Sequence, residues 1–160
     1  MDDVPRILVI GYGNPGRLDD GLGPGLAAEV ERLDIPGVDV DSDYQLNVEH
    51  ALDASRHDIV IFADADSRGE EAFSFHEIRP ARDSSFTTHD VAPEQVLGLA
   101  HTLFGGMARG FVLGIRGYEF NELGERLTPR AGQNLASALA FLAQLLQLTW
   151  TVDGTTTRGT

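Results

Sequence analysis

The chain contains no cysteine. Disulfides, thiolate metal sites and a cysteine nucleophile are therefore excluded. Positive charge is also scarce. Twelve Arg and Lys stand against 25 Asp and Glu, for a formal net charge of −13. Such a surface repels nucleic acid and anionic membranes and supports neither as a partner, while remaining compatible with cations and basic peptides. Long apolar runs are missing as well. The longest, LASALAFLAQLLQL, is broken by Ser137, Gln144 and Gln147 and is too short to span a bilayer. The opening MDDVPR has no apolar h-region, so no signal peptide is expected and the protein is expected in the cytoplasm. Internal repeats and linker-like stretches are absent. The chain is read as one domain over residues 1–150, with the polar TVDGTTTRGT (151–160) as a frayed tail.

What is present alternates between strand and helix signals. RILVIG is a short β-branched run ending in glycine, and DIVIFADA is a second apolar strand that ends in a carboxylate. Between them, DGLGPGLAAEVERL carries helical spacing at Leu26, Val30 and Leu33, and VDVDS is a short strand. NVEHALDAS reads as a helix capped by Asn47, with Glu49 in its first turn. AFSFHEIRP alternates and stops at Pro80, the pattern of a half-exposed edge strand. APEQVLGLAHTLFG is a helix ending near Gly105, and GFVLGIRG is a buried strand. The last helix, TPRAGQNLASALAFLAQLLQL, starts with Thr128 as N-cap and Pro129 at the first helical position. Unbroken apolar strands alternating with helices imply an α/β protein with a mainly parallel sheet covered on both faces. In such sheets ligands bind outside the carboxyl ends of the strands.

Three features fall at that edge. The first is the loop GYGNPGRLDDGLG (residues 11–23), carrying Asn14, Asp19 and Asp20. The second is Asp64, with Asp66 just beyond. The third is SSFTTHD (84–90), a polar loop with His89. The first loop contains G-x-G-x-x-G, which raises a dinucleotide. A dinucleotide fingerprint needs helix amides facing the pyrophosphate. Pro15 removes one such amide, and the carboxylates of Asp19 and Asp20 would repel the ligand. Helix capping accounts for one of these two aspartates. It does not account for Asp64, which is costly after five apolar residues unless paired or solvated in a cleft. Two carboxylates and an imidazole at one edge would form an open N/O site suited to nickel, zinc or iron. Spacing by itself does not bring the three side chains together.

The residues that carry this site resemble a known family. ILVIGYGNPGRLDDGLG, IVIFADA, TTHD and FVLGIRGYEFNELGERLTPRA are similar to segments of the [NiFe]-hydrogenase maturation endopeptidases, over residues 6 to 148. YQLNVEHA (44–51) is similar to a segment found in one subgroup. The resemblance implies an α/β/α sandwich around a twisted, mostly parallel five-stranded sheet. It implies an endopeptidase that removes the C-terminal extension of a hydrogenase large-subunit precursor after nickel insertion. The nickel would arrive with the substrate, and no permanently bound cofactor is expected. Asp20, Asp64 and His89 would be the nickel contacts, and Asp20 or Asp64 the general base toward water. His101 is the rival for the third position, although it sits in a helical pattern that favours packing. His50, His57 and His76 read as structural or solvated. Gly11, Gly13, Gly21 and Gly23 would let the precursor backbone approach, and Asn14 would either fix Asp20 or serve as a turn residue beside Pro15. The family implies a monomer that meets the precursor transiently. The sequence contains no G-x-S-x-G elbow and no H-E-x-x-H. A non-catalytic nickel-binding chaperone using the same ligands, and a dinucleotide-binding protein, are the alternative readings.

Overall fold

The computed structural model describes residues 4–82, 91–150 and 156–158. Strand β1 (Ile7–Tyr12) leads through a 3-10 turn (Leu18–Gly21) into helix α1 (Leu22–Leu33). Then follow β2 (Val38–Asp43), α2 (Val48–Ser55), β3 (Ile59–Asp66) and β4 (Phe73–Ile78). The remainder comprises α3 (Pro93–Phe104), β5 (Arg109–Arg116), α4 (Pro129–Leu146), β6 (Leu148–Trp150) and β7 (Thr156–Arg158). Five strands form one sheet in the order β2-β1-β3-β5-β4. All neighbours are parallel except β4, which runs antiparallel to β5 at one edge.

Alternation along the central strands divides the core. Ile7, Val9, Ile59, Ile61, Leu113 and Ile115 face α1 and α4. Leu8, Ile10, Val60 and Phe62 face α2 and α3. Both faces of the parallel strands are thus buried, which is why they read as continuous apolar runs. The result is the expected three-layer α/β/α sandwich. No helix among the described residues is long and apolar enough to cross a membrane.

Local chemistry explains the helix ends. Asn47 caps α2 by accepting the Glu49 amide, while the His50 ring accepts the Asn47 amide in return. Gly105 takes the left-handed conformation that closes α3. Two expectations need correction. The pattern predicts a helix from Asp20, but Asp19 and Asp20 lie in the 3-10 turn and α1 begins at Leu22. Leu33, expected on the apolar face, is the last residue of α1 and is 45% exposed. Residues 156–158 pair antiparallel with β6. The rest of 151–160 lies outside the described residues.

Candidate functional site

Strand β1 stops pairing with β3 at Gly11–Ala63, but β3 continues beside β5 through Asp66. Asp64 lies in this overhang, not at the strand end. It follows Val60 and Phe62 in alternation, just past the core under α2 and α3. Its own carboxylate accepts the Ala65 amide at 2.8 Å. Burial pushes the Asp64 carboxyl up to about 6, and the negative charges of Asp20 and Asp66 add to the rise. Hydrogen bonds from Ala65 and from the Tyr12 hydroxyl partly offset it. Tyr12 is itself held in its protonated form, first by burial and then by the adjacent Asp64 carboxylate. A carboxylate whose pKa burial raises in this way is suited to proton transfer.

Asp20 faces the same edge from the first loop. Its Oδ2 accepts the Asn14 amide at 2.8 Å. The Asn14 side chain meanwhile accepts the Gly16 amide at 2.9 Å. The two roles considered for Asn14 are therefore both filled, one by its backbone and one by its side chain. An amide that would have faced a pyrophosphate is occupied by a carboxylate of the protein itself, so nothing here supports the dinucleotide reading.

Asp19 has a different task. It is fully buried, and its carboxylate accepts four hydrogen bonds of 2.8–3.1 Å. The donors are the amides of Tyr118, Glu119 and Thr128 and the Thr128 hydroxyl. Burial alone would raise its pKa. The bonds from Thr128, Tyr118 and Glu119 outweigh burial and hold it below the ordinary carboxylate range. Thr128 is the N-cap residue of α4 by position, but its hydroxyl donates to Asp19 and makes no cap of its own. Backbone bonds add to this clamp: Leu18 N–H donates to Gly124 O, and Gly124 N–H to Gly16 O. The glycine-rich loop and the segment Gly117–Pro129, a hundred residues apart in sequence, thus form one structural unit.

The loop glycines are crowded by the chain itself. A Cβ on Gly11 would strike the Gly23 carbonyl, and one on Gly23 would strike the carbonyls of Tyr12 and Ala63. Gly13 has φ +139° and packs on the Asp20 carbonyl. These contacts seat α1 against β1.

His89 lies outside the described residues. His101 lies at the amino end of β5, where its ring Nε2 is 3.0 Å from the Ala108 carbonyl, away from Asp20 and Asp64. His50 serves the cap of α2, His57 Nε2 lies 2.7 Å from Asp39, and His76 is exposed on β4. Among the described residues no three His, Asp or Glu side chains converge as a metal site. The structure therefore brings Asp20 and Asp64 to one edge, with Tyr12 as a partner of Asp64 that the sequence did not single out, while Asp19 turns away to clamp the loop. A signal for Tyr12 existed: it continues the alternation of Leu8 and Ile10 toward the face that carries Asp64.

Comparison of the sequence with protein-family models and with curated proteins finds no match. The fold matches solved structures. The [NiFe] hydrogenase maturation protease HycI from Thermococcus kodakarensis aligns with TM-score 0.68 at 20% identity, covering 90% of this chain and 94% of that one. A hydrogenase 2 maturation peptidase from a Thaumarchaeota archaeon aligns with TM-score 0.65 at 22% identity, covering 88% and 97%. The hydrogenase maturating endopeptidase HybD from E. coli gives 0.60 at 23%, covering 86% and 89%. At these identities what is shared is the fold: the chain has the α/β/α architecture of the hydrogenase maturation proteases over nearly its whole length.

Proposed function

We propose that this protein is an endopeptidase that removes the C-terminal extension of a [NiFe]-hydrogenase large-subunit precursor and acts on the nickel-loaded form. One observation supports the reading: Asp20, in the loop after β1, and Asp64, in the overhang of β3, both lie at the carboxyl edge of this fold's parallel strands. Nickel is part of the substrate in this reading. Asp20, Asp64 and His89 complete its coordination, since carboxylate and imidazole suit a borderline ion. Asp64, with its raised pKa, accepts a proton from the attacking water. Asp20 is held in the first loop by the Asn14 amide. The segment bearing His89 runs in sequence into α3. Holding the scissile bond beside these groups supplies much of the rate.

The test is an in vitro cleavage assay. The protein is mixed with large-subunit precursor from the same cell, prepared with and without nickel, and the C-terminal peptide is sought by mass spectrometry. Release from the loaded form alone is expected, and Asp64→Asn and His89→Ala should each abolish it. Equal release without nickel, or full activity in both variants, would overturn the assignment. Nickel-dependent binding with no released peptide would favour the maturation chaperone instead.

A further inference from the structure

We propose that the outer edge of β2, with the groove between β2 and α1, binds an extended segment of the partner protein in which basic and small apolar residues alternate. The claim that this segment belongs to a peptidase substrate rests on the function proposed above.

Strand β2 ends the five-stranded sheet on one side. The amides of Ile7 and Gly13 donate to the carbonyls of Gly37 and Asp43, so odd-numbered residues of this stretch face β1. By alternation Val40 and Ser42 turn their backbone groups outward, where no strand among the described residues covers them. The donors on this edge are largely occupied. The Ser42 amide donates to Asp41 Oδ1 at 2.8 Å, and the Tyr44 amide to Asp43 Oδ1 at 2.7 Å. What β2 presents outward is therefore rich in acceptors: the carbonyls of Val40 and Ser42, flanked by half-exposed carboxylates. An acceptor-rich, acidic edge selects a partner that brings donors and positive charge.

The two faces of the edge differ. On the α2 face stand Asp39, Asp41 and Asp43, held near the rings of His57 and His50. On the α1 face a shallow cavity of about 280 Å³ is lined by the small side chains of Pro24, Ala27, Ala28 and Val40, and bordered by Glu31 and by Asp41 and Ser42 of the edge strand. A second cavity of about 220 Å³ continues it past Pro24, Ser42 and Asp43 to Gly13, Pro15 and Tyr44. Gly13 and Pro15 flank Asn14, whose amide holds the Asp20 carboxylate. The groove thus runs from the middle of the edge strand to the loop that carries the candidate site. In an extended peptide lying along it, successive side chains alternate between the two faces. One set meets the small side chains of Pro24, Ala27, Ala28 and Val40 in a groove bordered by acidic residues, and the other meets the β2 carboxylates.

The test uses the full chain and synthetic fluorescent ten-residue peptides, with no nickel and no cleavage. One peptide alternates Arg and Val. A second has the same composition in two blocks, and a third alternates Glu and Val. Fluorescence anisotropy should show the alternating basic peptide binding at least tenfold more tightly than either control. Its amide-shift footprint in NMR should centre on Val40 and Ser42. Ala28→Trp, which fills the groove from an exposed position, and Glu31→Lys should each weaken that binding at least fivefold with an unchanged melting temperature. Asp64→Asn should bind the peptide as the unaltered protein does. Equal binding of the block peptide, a footprint elsewhere, or no effect of both groove variants would overturn the proposal. If the peptide binds here but the precursor is never cleaved, the peptidase reading fails and the groove stands. If the precursor is cleaved while the peptide does not bind, the reverse holds.

Discussion

At the residue scale, neighbouring aspartates in one turn do opposite jobs because their surroundings differ. Asp19 is satisfied by four donors, whereas Asp20 accepts the Asn14 amide and is only half-buried. Asp19→Ala would strand the amides of Tyr118, Glu119 and Thr128. It should cost about 2–4 kcal/mol in urea denaturation. Its stabilising effect is present above the ordinary carboxylate pKa of about 4 and fades as pH falls through the lower native value. Asp64 behaves in the opposite sense. Its native pKa of about 6 lies above that of the unfolded chain. The native state then holds the proton more tightly, and this residue's contribution declines as pH rises from about 4 through 6. Asp64→Asn should therefore raise the melting temperature at pH 7 while abolishing cleavage. A scan of Tm against pH for both proteins checks it, with the two curves converging toward pH 4.

At the element scale, the site depends on how closely α1 sits on β1. Gly11 and Gly23 let backbone meet backbone, and the 3-10 turn then places Asp19 and Asp20 on opposite sides of the loop. Gly23→Ala puts a methyl against two carbonyls that belong to rigid strands. It should cost about 1–3 kcal/mol by urea denaturation and displace the loop. The elements themselves were largely legible. The apolar runs of β1, β3 and β5, the alternation of β4 with Pro80 beyond it, the Asn47 cap and Pro129 at the start of α4 each carry a local cause. Boundaries were less legible. The 3-10 turn arises from contacts with Glu119 and Gly124, which no local pattern reveals.

At the scale of the whole molecule, charge dominates. A net −13 on 160 residues means self-repulsion in the compact state. Raising ionic strength from about 0.01 M to about 0.15 M shortens the screening length severalfold and should raise the melting temperature. A calorimetric salt series checks it, and an unchanged Tm would show that repulsion between these charges is already compensated by local pairing. The same charge should make peptide binding along β2 weaken as salt increases, a behaviour that a purely apolar groove would not show.

The sequence by itself determined the three-layer α/β/α plan, because period-two and helical patterns are local and each strand announces whether one or both faces are buried. It also marked Asp64, since a carboxylate after five apolar residues is unexplained by any neighbour along the chain, whereas Asp20 was set apart from Asp19 only by the family resemblance. Only the tertiary structure decided which partners these carboxylates have. The Tyr12 hydroxyl reaches Asp64 across two strands, and Asp19 binds groups a hundred residues away. It also decided that the loop glycines are crowded by the protein's own backbone and that, among the described residues, no strand pairs with the outer edge of β2. Hydrogen bonds and burial of this kind depend on distance in space, and sequence spacing carries no record of it.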